Sequence, residues 1–355
     1  MAYTSIDNSE LHHQSVLYTG NATDNTAIVF ANTTTTMQPD WVWNKNRAEN
    51  NYEHHGVDSV RGVDQLLRLS ADIHEFTSAP AFRSFDSNGF TLGSNSYMNV
   101  GSDAQVSWCW KMGTSFSNDA SATSVGSIDS AGSINTDAGQ AIITYTGTGS
   151  NGTIAHGLGA VPTWVMIKNR SATSGDRGWA IYHVGGGNTH FWELNTTAAK
   201  DESSGLFNNT TPTSSVFSIG TNSRVNTSGD TYVAYVFADV PGYSKFSTWV
   251  GDADSSDGPF VYLGFKPAFI MYKSSASEDW EMLDNKRVGY NFDNNPLKAH
   301  SSDAEATTDR GDLLSNGFKI RTGGAQINGN GTTYIYMAFA ESPFVSSSGV
   351  PNNAR

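Results

Sequence analysis

The residues that could carry out chemistry in this chain are carboxylates, histidines and serines, and they form no specific motif. A hydrolase acting on glycans needs two carboxylates held within about 10 Å of each other, and the 34 acidic residues single out no such pair. A Ser/His/Asp triad has abundant raw material, but the Gly-x-Ser-x-Gly segment that presents a nucleophilic serine is missing. We therefore expect a protein without enzymatic activity and assign no catalytic residue.

Two pairs of adjacent histidines invite a metal-binding interpretation. They are His12-His13 and His54-His55. Neighbouring residues on a strand point to opposite faces of the sheet, so the two rings of a pair cannot bind one ion together. We expect these histidines to be solvated.

An acidic run and a single cysteine are the other candidate metal ligands. Residues 252–258 resemble the start of a calcium loop, but Leu263 stands where an EF-hand requires its last acidic ligand. Cys109 is the only cysteine, which excludes an internal disulfide and a cysteine-based zinc site. We expect a polar turn at 252–258, a small core residue at Cys109, and neither metal nor cofactor.

Basic and aromatic side chains supply the candidates for binding. The pairs Lys45/Arg47 and Lys168/Arg170 each share one face of a strand. They either form an acid-binding patch or, as we expect, pair with the chain's own acids.

Loop aromatics beside Asn and Asp suit sugar recognition, because an aromatic face stacks on C–H groups while amides satisfy hydroxyls. The alternative for each of them is a place in the core. The candidates for weak ligand binding are Trp179, Tyr182, Trp192, Trp280 and Tyr290, with Phe191 and Phe292 as further loop aromatics.

Composition points to sheets as the elements that position these residues. Gly, Ser, Thr and Asn are abundant, 12% of residues are aromatic and only 15% are charged, which favours strands joined by many turns. The formal net charge of -13 repels phosphate and anionic lipid. No apolar run approaches the roughly 20 residues needed to cross a bilayer, and the start of the sequence lacks a basic region followed by an apolar one, so we expect no classical secretory signal. We therefore expect neither nucleic-acid binding nor membrane insertion.

Four landmark segments recur in the same order three times along the chain. A short strand ends in glycine at Tyr18-Thr-Gly20, Tyr145-Thr-Gly147 and Trp249-Val-Gly251. A proline then opens an aromatic strand that reaches a lysine, at Pro39 to Lys45, Pro162 to Lys168 and Pro267 to Lys273. A strand built around Phe90, Phe217 or Phe318 follows, and an alternating aromatic strand ends each copy. Such recurrence at similar spacing indicates an internal repeat.

Short alternating strands separated by turn residues predict an all-β fold of three homologous, jelly-roll-like β-sandwich repeats, each of about 100 residues. Alternation predicts that one face of each sheet is buried, including Trp41, Trp43 and Phe90. The boundaries are an N-terminal arm (1–13), repeat 1 (14–112), a Ser/Gly/Ala-rich linker or extended arm (113–139), repeat 2 (140–243), repeat 3 (244–345) and a disordered C-terminal tail (346–355).

The same segments carry a resemblance to a known domain. The stretch from about Gly139 to Phe344, with TYTGTGSNGTIAHGLGAVPTWVMIKNRS, NTSGDTYVAYVFADVPGYSKF, DGPFVYLGFKPAFIMYK and NGTTYIYMAFAESPF, resembles a repeated domain in structural proteins of tailed phages, many of them marine. The first unit, with YTGNATDN, PDWVWNKNR and DSVRG, is similar to a more divergent copy. The resemblance implies a virion protein of the kind called a tail fibre or tail protein.

Two locations on the particle follow from this resemblance. In the first, the protein is a tail fibre or tail-tip protein that attaches to a host-surface glycan. In the second, it is a capsid decoration or head-fibre protein bound to the major capsid protein. Because the first unit begins within about 15 residues of Met1, we expect no separate docking module ahead of it, which favours decoration. An unrelated enzyme or a soluble lectin is the third alternative.

Partners and assembly are expectations of the same kind. We expect other virion proteins as partners, synthesis in the host cytoplasm and a final place on the surface of the extracellular particle. The chain forms either a homo-oligomer, with a trimer usual for phage fibres, or a monomer whose three units create a pseudo-threefold particle.

Overall fold

The computed structural model describes residues 4–31, 35–175, 177–288, 290–291 and 295–352. Three regions follow one another along the chain, which we call region 1 (residues 4–112), region 2 (113–243) and region 3 (244–352). Each contains a large antiparallel sheet and a smaller one, so the protein is all-β. None of the described helices has the length and apolar character to cross a membrane.

Region 1 opens with a 3-10 helix at Ser9–Leu11. Its strands are β1 (His13–Thr19), β2 (Thr26–Val29), β3 (Trp41–Asn46), β4 (His55–Asp58), β5 (Gln65–Arg68), β6 (Phe76–Thr77), β7 (Phe82–Asp86), β8 (Gly89–Leu92) and β9 (Ala104–Trp110). The large sheet has the order β1-β9-β3-β4-β5-β6, and the small sheet has the order β2-β8-β7.

Region 2 contains three one-turn helices, α1 (Ala120–Thr123), α2 (Ser204–Phe207) and α3 (Ser223–Asn226), and a 3-10 helix at Val184–Gly186. Its strands are β10 (Thr114–Asn118), β11 (Ser130–Asn135), β12 (Gln140–Thr146), β13 (Gly152–Ala155), β14 (Trp164–Asn169), β15 (Ala180–His183), β16 (His190–Glu193), β17 (Asp201–Glu202), β18 (Val216–Ile219) and β19 (Thr231–Phe237). The large sheet has the order β10-β11-β12-β19-β14-β15-β16-β17, and β13 pairs with β18.

Region 3 contains the helix α4 (Ala325–Asn328). Its strands are β20 (Ser244–Val250), β21 (Phe260–Tyr262), β22 (Phe265–Ser274), β23 (Trp280–Asp284), β24 (Leu297–Lys298), β25 (Gly311–Leu314), β26 (Gly317–Ile320) and β27 (Thr333–Pro343). The large sheet has the order β20-β27-β22-β23-β24, and the small sheet has the order β21-β26-β25.

The strands that carry the sequence landmarks occupy matching places in the three large sheets. In each large sheet the closing aromatic strand lies between the strand that precedes the landmark proline and the strand that follows or contains this proline. The three sets are β1-β9-β3, β12-β19-β14 and β20-β27-β22. In the small sheets Ile28 pairs with Phe90, Ile154 with Phe217 and Val261 with Phe318.

The middle strands of the large sheets are buried on both faces, which corrects the expectation of a single buried face. Every residue of β3 is buried, and so is every residue of β14. Val42 packs in the cluster beneath the small sheet with Phe90, whereas Trp41 and Trp43 pack on the opposite face, in a cluster shared by all three regions. Alternation placed these residues on faces correctly, but the second face is covered because the large sheets pack against one another.

The segment 113–139 is not the linker or extended arm expected from its composition. It forms a hairpin in which β10 pairs with β11, and β11 pairs with β12, so it extends the large sheet of region 2. Phe116, Ile128 and Ile134 pack against the core of that region. These few apolar side chains, spaced among Ser and Gly, are sufficient to fix the hairpin because each points toward the core.

The described part of the expected disordered tail, residues 346–352, is ordered. Residues 346–352 form a turn in which Ser346 N–H donates to the carbonyl of Val350, at 2.9 Å. The Ser347 N–H donates to the Asp7 carboxylate at 2.6 Å, which ties this turn to the start of the chain. The rest of the expected tail, 353–355, lies outside the described residues.

Candidate functional site

The shared cluster between the large sheets, which we call the central cluster, is built from aromatic rings of all three regions. The Trp41 ring stacks on Trp110 at 4.5 Å and on Tyr235 of region 2 at 4.3 Å between centroids. Phe339 of region 3 meets Trp110 edge-on at 5.6 Å and Phe237 at the same distance. Edge-to-face and offset contacts of this kind stabilise packing beyond the area that they bury.

Four of the five candidate ligand-binding aromatics lie inside the protein. Trp179, Trp192 and Trp280 are buried in the central cluster, and Tyr182 is buried in the core of region 2. This corrects their assignment as binding residues, because a ligand in solvent cannot reach them. Tyr290 is 70% exposed and remains a candidate.

The two further loop aromatics also have different outcomes. Phe191 is buried in the core of region 2. Phe292 lies outside the described residues.

The residue just before β4, the residue just before β15 and the first residue of β23 each reach across to a neighbouring region. Trp179 Nε1 donates to the carbonyl of Arg68 at 3.1 Å, and Trp280 Nε1 donates to the carbonyl of Glu193 at 2.7 Å. In region 1 this place is taken by His54, whose Nε2 lies 3.0 Å from the carbonyl of Lys298. Region 2 thus contacts region 1, region 3 contacts region 2 and region 1 contacts region 3, which closes a ring.

The lysines that follow the three prolines are buried donors to backbone carbonyls. Lys45 Nζ donates to Tyr52 at 2.7 Å and to Ser302 of region 3 at 3.0 Å. Lys273 Nζ donates to Glu278 at 2.6 Å and to Thr197 of region 2 at 3.1 Å. Burial lowers the pKa of Lys45 and of Lys273 to about 8.

Lys168 has the same surroundings within its own region, since its Nζ donates to the Arg177 carbonyl at 2.6 Å. All three lysines are buried. They do not form the alternative acid-binding patch, because their ammonium groups face carbonyls inside the protein.

A buried charge network joins regions 1 and 2. Arg61 Nε donates to Asp58 at 2.5 Å, and both side chains are fully buried. Arg61 also pairs with Glu75 at 2.7 Å, and Glu75 pairs in turn with Arg170 of region 2 at 2.8 Å. The Tyr235 hydroxyl donates to Asp58 at 2.7 Å. Burial alone would lower the pKa of Arg61, but Asp58, Tyr235 and Glu75 raise it above its ordinary value.

A second network of the same form joins regions 3 and 1. Arg287 pairs with Asp284 at 2.6 Å and with Glu305 at 3.0 Å, and Glu305 pairs with Arg47 of region 1 at 2.8 Å. The Trp108 indole donates to Asp284 at 3.0 Å, in the place of the tyrosine hydroxyl. Burial acts to raise the pKa of Asp284, but the Arg287 charge and hydrogen bond hold it below its ordinary value.

Sequence reasoning missed these two networks as sites, although a signal was present. Asp58-Ser-Val-Arg61 and Asp284-Asn-Lys-Arg287 both place an arginine three residues after an acid, and the acid follows Pro39 by 19 residues and Pro267 by 17 residues. Their geometry matches a structural pair rather than a reactive one, because the carboxylates accept bonds from arginine and from backbone N–H groups. The expected pairing of Arg47 and Arg170 with acids of the chain is present, across two different boundaries.

The boundary between regions 2 and 3 has different chemistry. His183 replaces the aspartate of the other two boundaries, and its Nε2 lies 3.1 Å from the carbonyl of Tyr336. The Gly185 N–H donates to His183 Nδ1 at 2.8 Å. Lys200 N–H donates to the Ser275 carbonyl at 3.2 Å, as Glu75 does to Arg170 and Glu305 does to Arg47. At this boundary a neutral imidazole therefore makes the contact to the neighbouring region that an aspartate paired with an arginine makes at the other two boundaries.

The paired histidines are not solvated, which corrects that expectation. His13, His54 and His55 are buried, and His12 is partly buried. Burial lowers the pKa of His13 and His55 to about 3 and of His183 to about 4. These rings are neutral at physiological pH and pack against aromatic side chains.

Sites for ions are few in the part of the chain that the structure describes. It contains no group of three or more His, Cys, Asp or Glu side chains arranged to hold a metal ion. In the acidic run, Asp254 Oδ1 accepts from the N–H groups of Ser256 and Asp257, each at 2.8 Å, which makes a polar turn. Cys109 is buried, and burial raises the pKa of its thiol well above the ordinary value.

Two adjoining polar grooves, of about 370 and 390 Å³, lie on the outer surface of the 113–139 hairpin. Asp129 lines both, and Asp119 and Arg170 line the first. Asp119 accepts from the N–H groups of α1, Asp129 accepts from the Ala120 N–H, and Arg170 is held by Glu75. The charged groups of these grooves are thus engaged within the protein.

The chain belongs to the family described as a domain of unknown function, DUF7483, whose model matches residues 8–343. No curated protein matches it. The matched range begins beside the 3-10 helix of region 1 and ends at the last residue of β27. One family model therefore spans all three large sheets and the boundaries between them.

Proposed function

We propose that this DUF7483 chain is a non-enzymatic structural protein of a tailed-phage particle that attaches to the host surface at the tail, with a surface glycan as its ligand. The observation that supports this role is that ionisable residues connect the regions of the protein to one another. Asp58 with Arg61, and Asp284 with Arg287, hold regions together. A block braced in this way presents its loops on a rigid base, which suits attachment under mechanical load.

The finer architecture that we propose is three homologous β-sandwich repeats. The matching strand orders of the large sheets support it. Further support comes from the matching boundary contacts, in which Glu75, Lys200 and Glu305 each donate a backbone N–H to the residue that follows the landmark lysine strand of the next region.

We further propose that the protein is a monomer in which the three regions of one chain form a pseudo-threefold arrangement. The contacts between regions run from 1 to 2, from 2 to 3 and from 3 to 1, so each boundary surface already has its partner. Light scattering coupled to size exclusion should therefore give the mass of one chain. The mass of three chains would contradict this assembly.

The location is tested by imaging the particle. An antibody against this chain, applied to purified virions and viewed by electron microscopy, should label the tail tip, and quantitative mass spectrometry should give a few to tens of copies per particle. Labelling over the whole head, with hundreds of copies, would contradict a tail protein.

A glycan array probed with the protein and with Tyr290→Ala tests the ligand, because Tyr290 is the exposed candidate aromatic.

A second candidate function, capsid decoration, is favoured by the closed ring. A monomer with three similar units in a ring can sit on a threefold position of a capsid and offer each surrounding subunit a similar surface. In that case hundreds of copies and head labelling are expected, and the partner is the major capsid protein.

A further inference from the structure

The edge strands of the three small sheets, β2, β13 and β21, differ in what covers them, although strand pairing places them in matching positions. Ile28 of β2, Ile154 of β13 and Val261 of β21 each pair with the phenylalanine of the neighbouring strand. The residues that follow them are Val29, Ala155 and Tyr262. Ala155 is 2% exposed, whereas Val29 is 63% exposed and Tyr262 is 53% exposed.

In region 2 the edge is covered by the 113–139 hairpin. The N–H groups of Ser127 and Ile128 donate to the Thr153 carbonyl at 2.9 and 3.2 Å, and Ser130 Oγ donates to the Ala155 carbonyl at 2.9 Å. The same segment pairs with β12 through β11. The hairpin thus joins the edge of the large sheet to the edge of the small sheet and fills the space between them.

In region 3 the edge is capped by a lysine. Lys245 Nζ donates to the Tyr262 carbonyl at 2.7 Å and lies 5.3 Å from the centre of the Tyr262 ring. A lysine on an edge strand is a common protection against pairing with another chain, because a new strand would have to desolvate its charge.

In region 1 the edge is open among the described residues. β1 is a terminal strand of its large sheet, and β2 is a terminal strand of its small sheet. A cleft of about 300 Å³ lies between them, and its lining combines apolar side chains with two charged ones, including Val16, Leu17, Val29, Phe30, Glu10 and Lys286. Leu17 and Val29 are exposed. An exposed apolar edge with unpaired backbone groups is a template for strand addition.

We propose that the β1/β2 edge of region 1 is a docking site for an extended segment of another protein chain, which adds to the sheet as the 113–139 hairpin does in region 2. The hairpin that covers the edge of region 2 indicates the chemistry of the segment that would bind the open edge of region 1. The hairpin has no basic residue, is rich in Ser, Thr and Gly, and places Ile128 and Ile134 into the space between the sheets. This inference rests on the matching of the three regions and is independent of where on a virion the protein lies.

A labelled synthetic peptide of residues 127–137 is the probe, titrated with the full chain and followed by fluorescence anisotropy. We expect one peptide to bind per chain, and a peptide with Ile128→Ser and Ile134→Ser to bind at least about tenfold more weakly. Hydrogen exchange should slow at β1 when the peptide binds, since its strand would pair there. No binding by the native peptide, or equal binding by the two peptides, would overturn the proposal.

Matched protein variants locate the site. Val29→Lys places a charge on the open edge and should weaken peptide binding at least about tenfold, while Tyr262→Lys, at the capped edge, should leave binding unchanged. Both side chains are exposed, so denaturation curves of the two variants should match the parent. Binding that survives Val29→Lys, or slowed exchange at β12 instead of β1, would show that the peptide exchanges with the chain's own hairpin and would refute a site in region 1.

Discussion

Buried Asp–Arg pairs lie at two of the boundaries between regions, formed by Asp58 with Arg61 and by Asp284 with Arg287. The Asp58 carboxylate accepts from Arg61, from the Tyr235 hydroxyl and from two backbone N–H groups. Such a pair fixes the relative position of two sheets whose other contacts are mainly aromatic, because a shifted sheet would leave a buried charge without its partners. A buried charge that loses its partner costs much more than the intact pair contributes.

Arg61→Met tests this at the boundary of regions 1 and 2. Because it leaves Asp58 buried without its cation, we expect the free energy of unfolding to fall by about 3–5 kcal/mol, measured by urea denaturation. The control is Arg83→Met, which removes an exposed pair with Asp24 and should cost less than about 1 kcal/mol. Equal effects of the two substitutions would contradict a bracing role for Arg61.

His183 makes the boundary of regions 2 and 3 sensitive to acid. Burial lowers its pKa from 6.5 to about 4, so the unfolded chain takes up the proton first as the pH falls. The stability contributed by the neutral ring is complete above about pH 6.5 and is lost progressively toward pH 4, by an amount on the order of 3 kcal/mol. His13 and His55, with pKa values of about 3, act in the same direction.

Urea denaturation at a series of pH values measures this loss. We expect the free energy of unfolding of the parent to decline between pH 6.5 and 4.5, and His183→Gln to decline less steeply over that range. Val184→Ala is the control, since Val184 is an exposed, non-ionising neighbour of His183, and it should keep the parent slope. An unchanged slope in His183→Gln would refute the assignment.

At the scale of elements, the 113–139 hairpin shows how few apolar residues are needed to attach a strand pair. Its backbone pairs with β12 along one side and bonds β13 along the other. Ile128 is the residue that reaches between the two sheets, and it is 7% exposed. The hairpin is peripheral, so its attachment can be weakened without unfolding the sheets beneath it.

Ile128→Ala should therefore loosen the hairpin selectively. We expect amide hydrogens of β10 and β11 to exchange faster, while those of β14 and β19 keep their protection, and a loss of about 2–4 kcal/mol in local opening free energy. Hydrogen exchange with mass spectrometry measures both. Val29→Ala, a substitution at an exposed residue of region 1, is the control. Faster exchange throughout the large sheet would contradict a separately attached hairpin.

At the scale of the whole molecule, the central cluster joins the three regions through one shared core. Trp41 and Trp110 of region 1, Phe237 of region 2 and Phe339 of region 3 share ring contacts. No region can be removed without exposing the face that its neighbours cover. The match of a single family model to residues 8–343 agrees with a unit of this size.

Unfolding should accordingly occur in one transition. We expect tryptophan fluorescence, which reports on the central cluster, and far-ultraviolet circular dichroism, which reports on the strands, to give the same midpoint in denaturant. Two separate midpoints would show that at least one region unfolds independently and would contradict a shared core.

Local alternation and turn residues are enough to predict that strands dominate, where the landmark strands lie and which residues of a strand share a face. The recurring lysines and the Asp-x-x-Arg spacing are also visible in the sequence, but their partners are not. The burial of Lys45, the core positions of Trp179 and Trp280 and the hairpin at 113–139 become evident only when the sheets are packed together. Each of these depends on a second sheet covering a surface, and a contact between residues far apart in the chain leaves no mark in the local pattern.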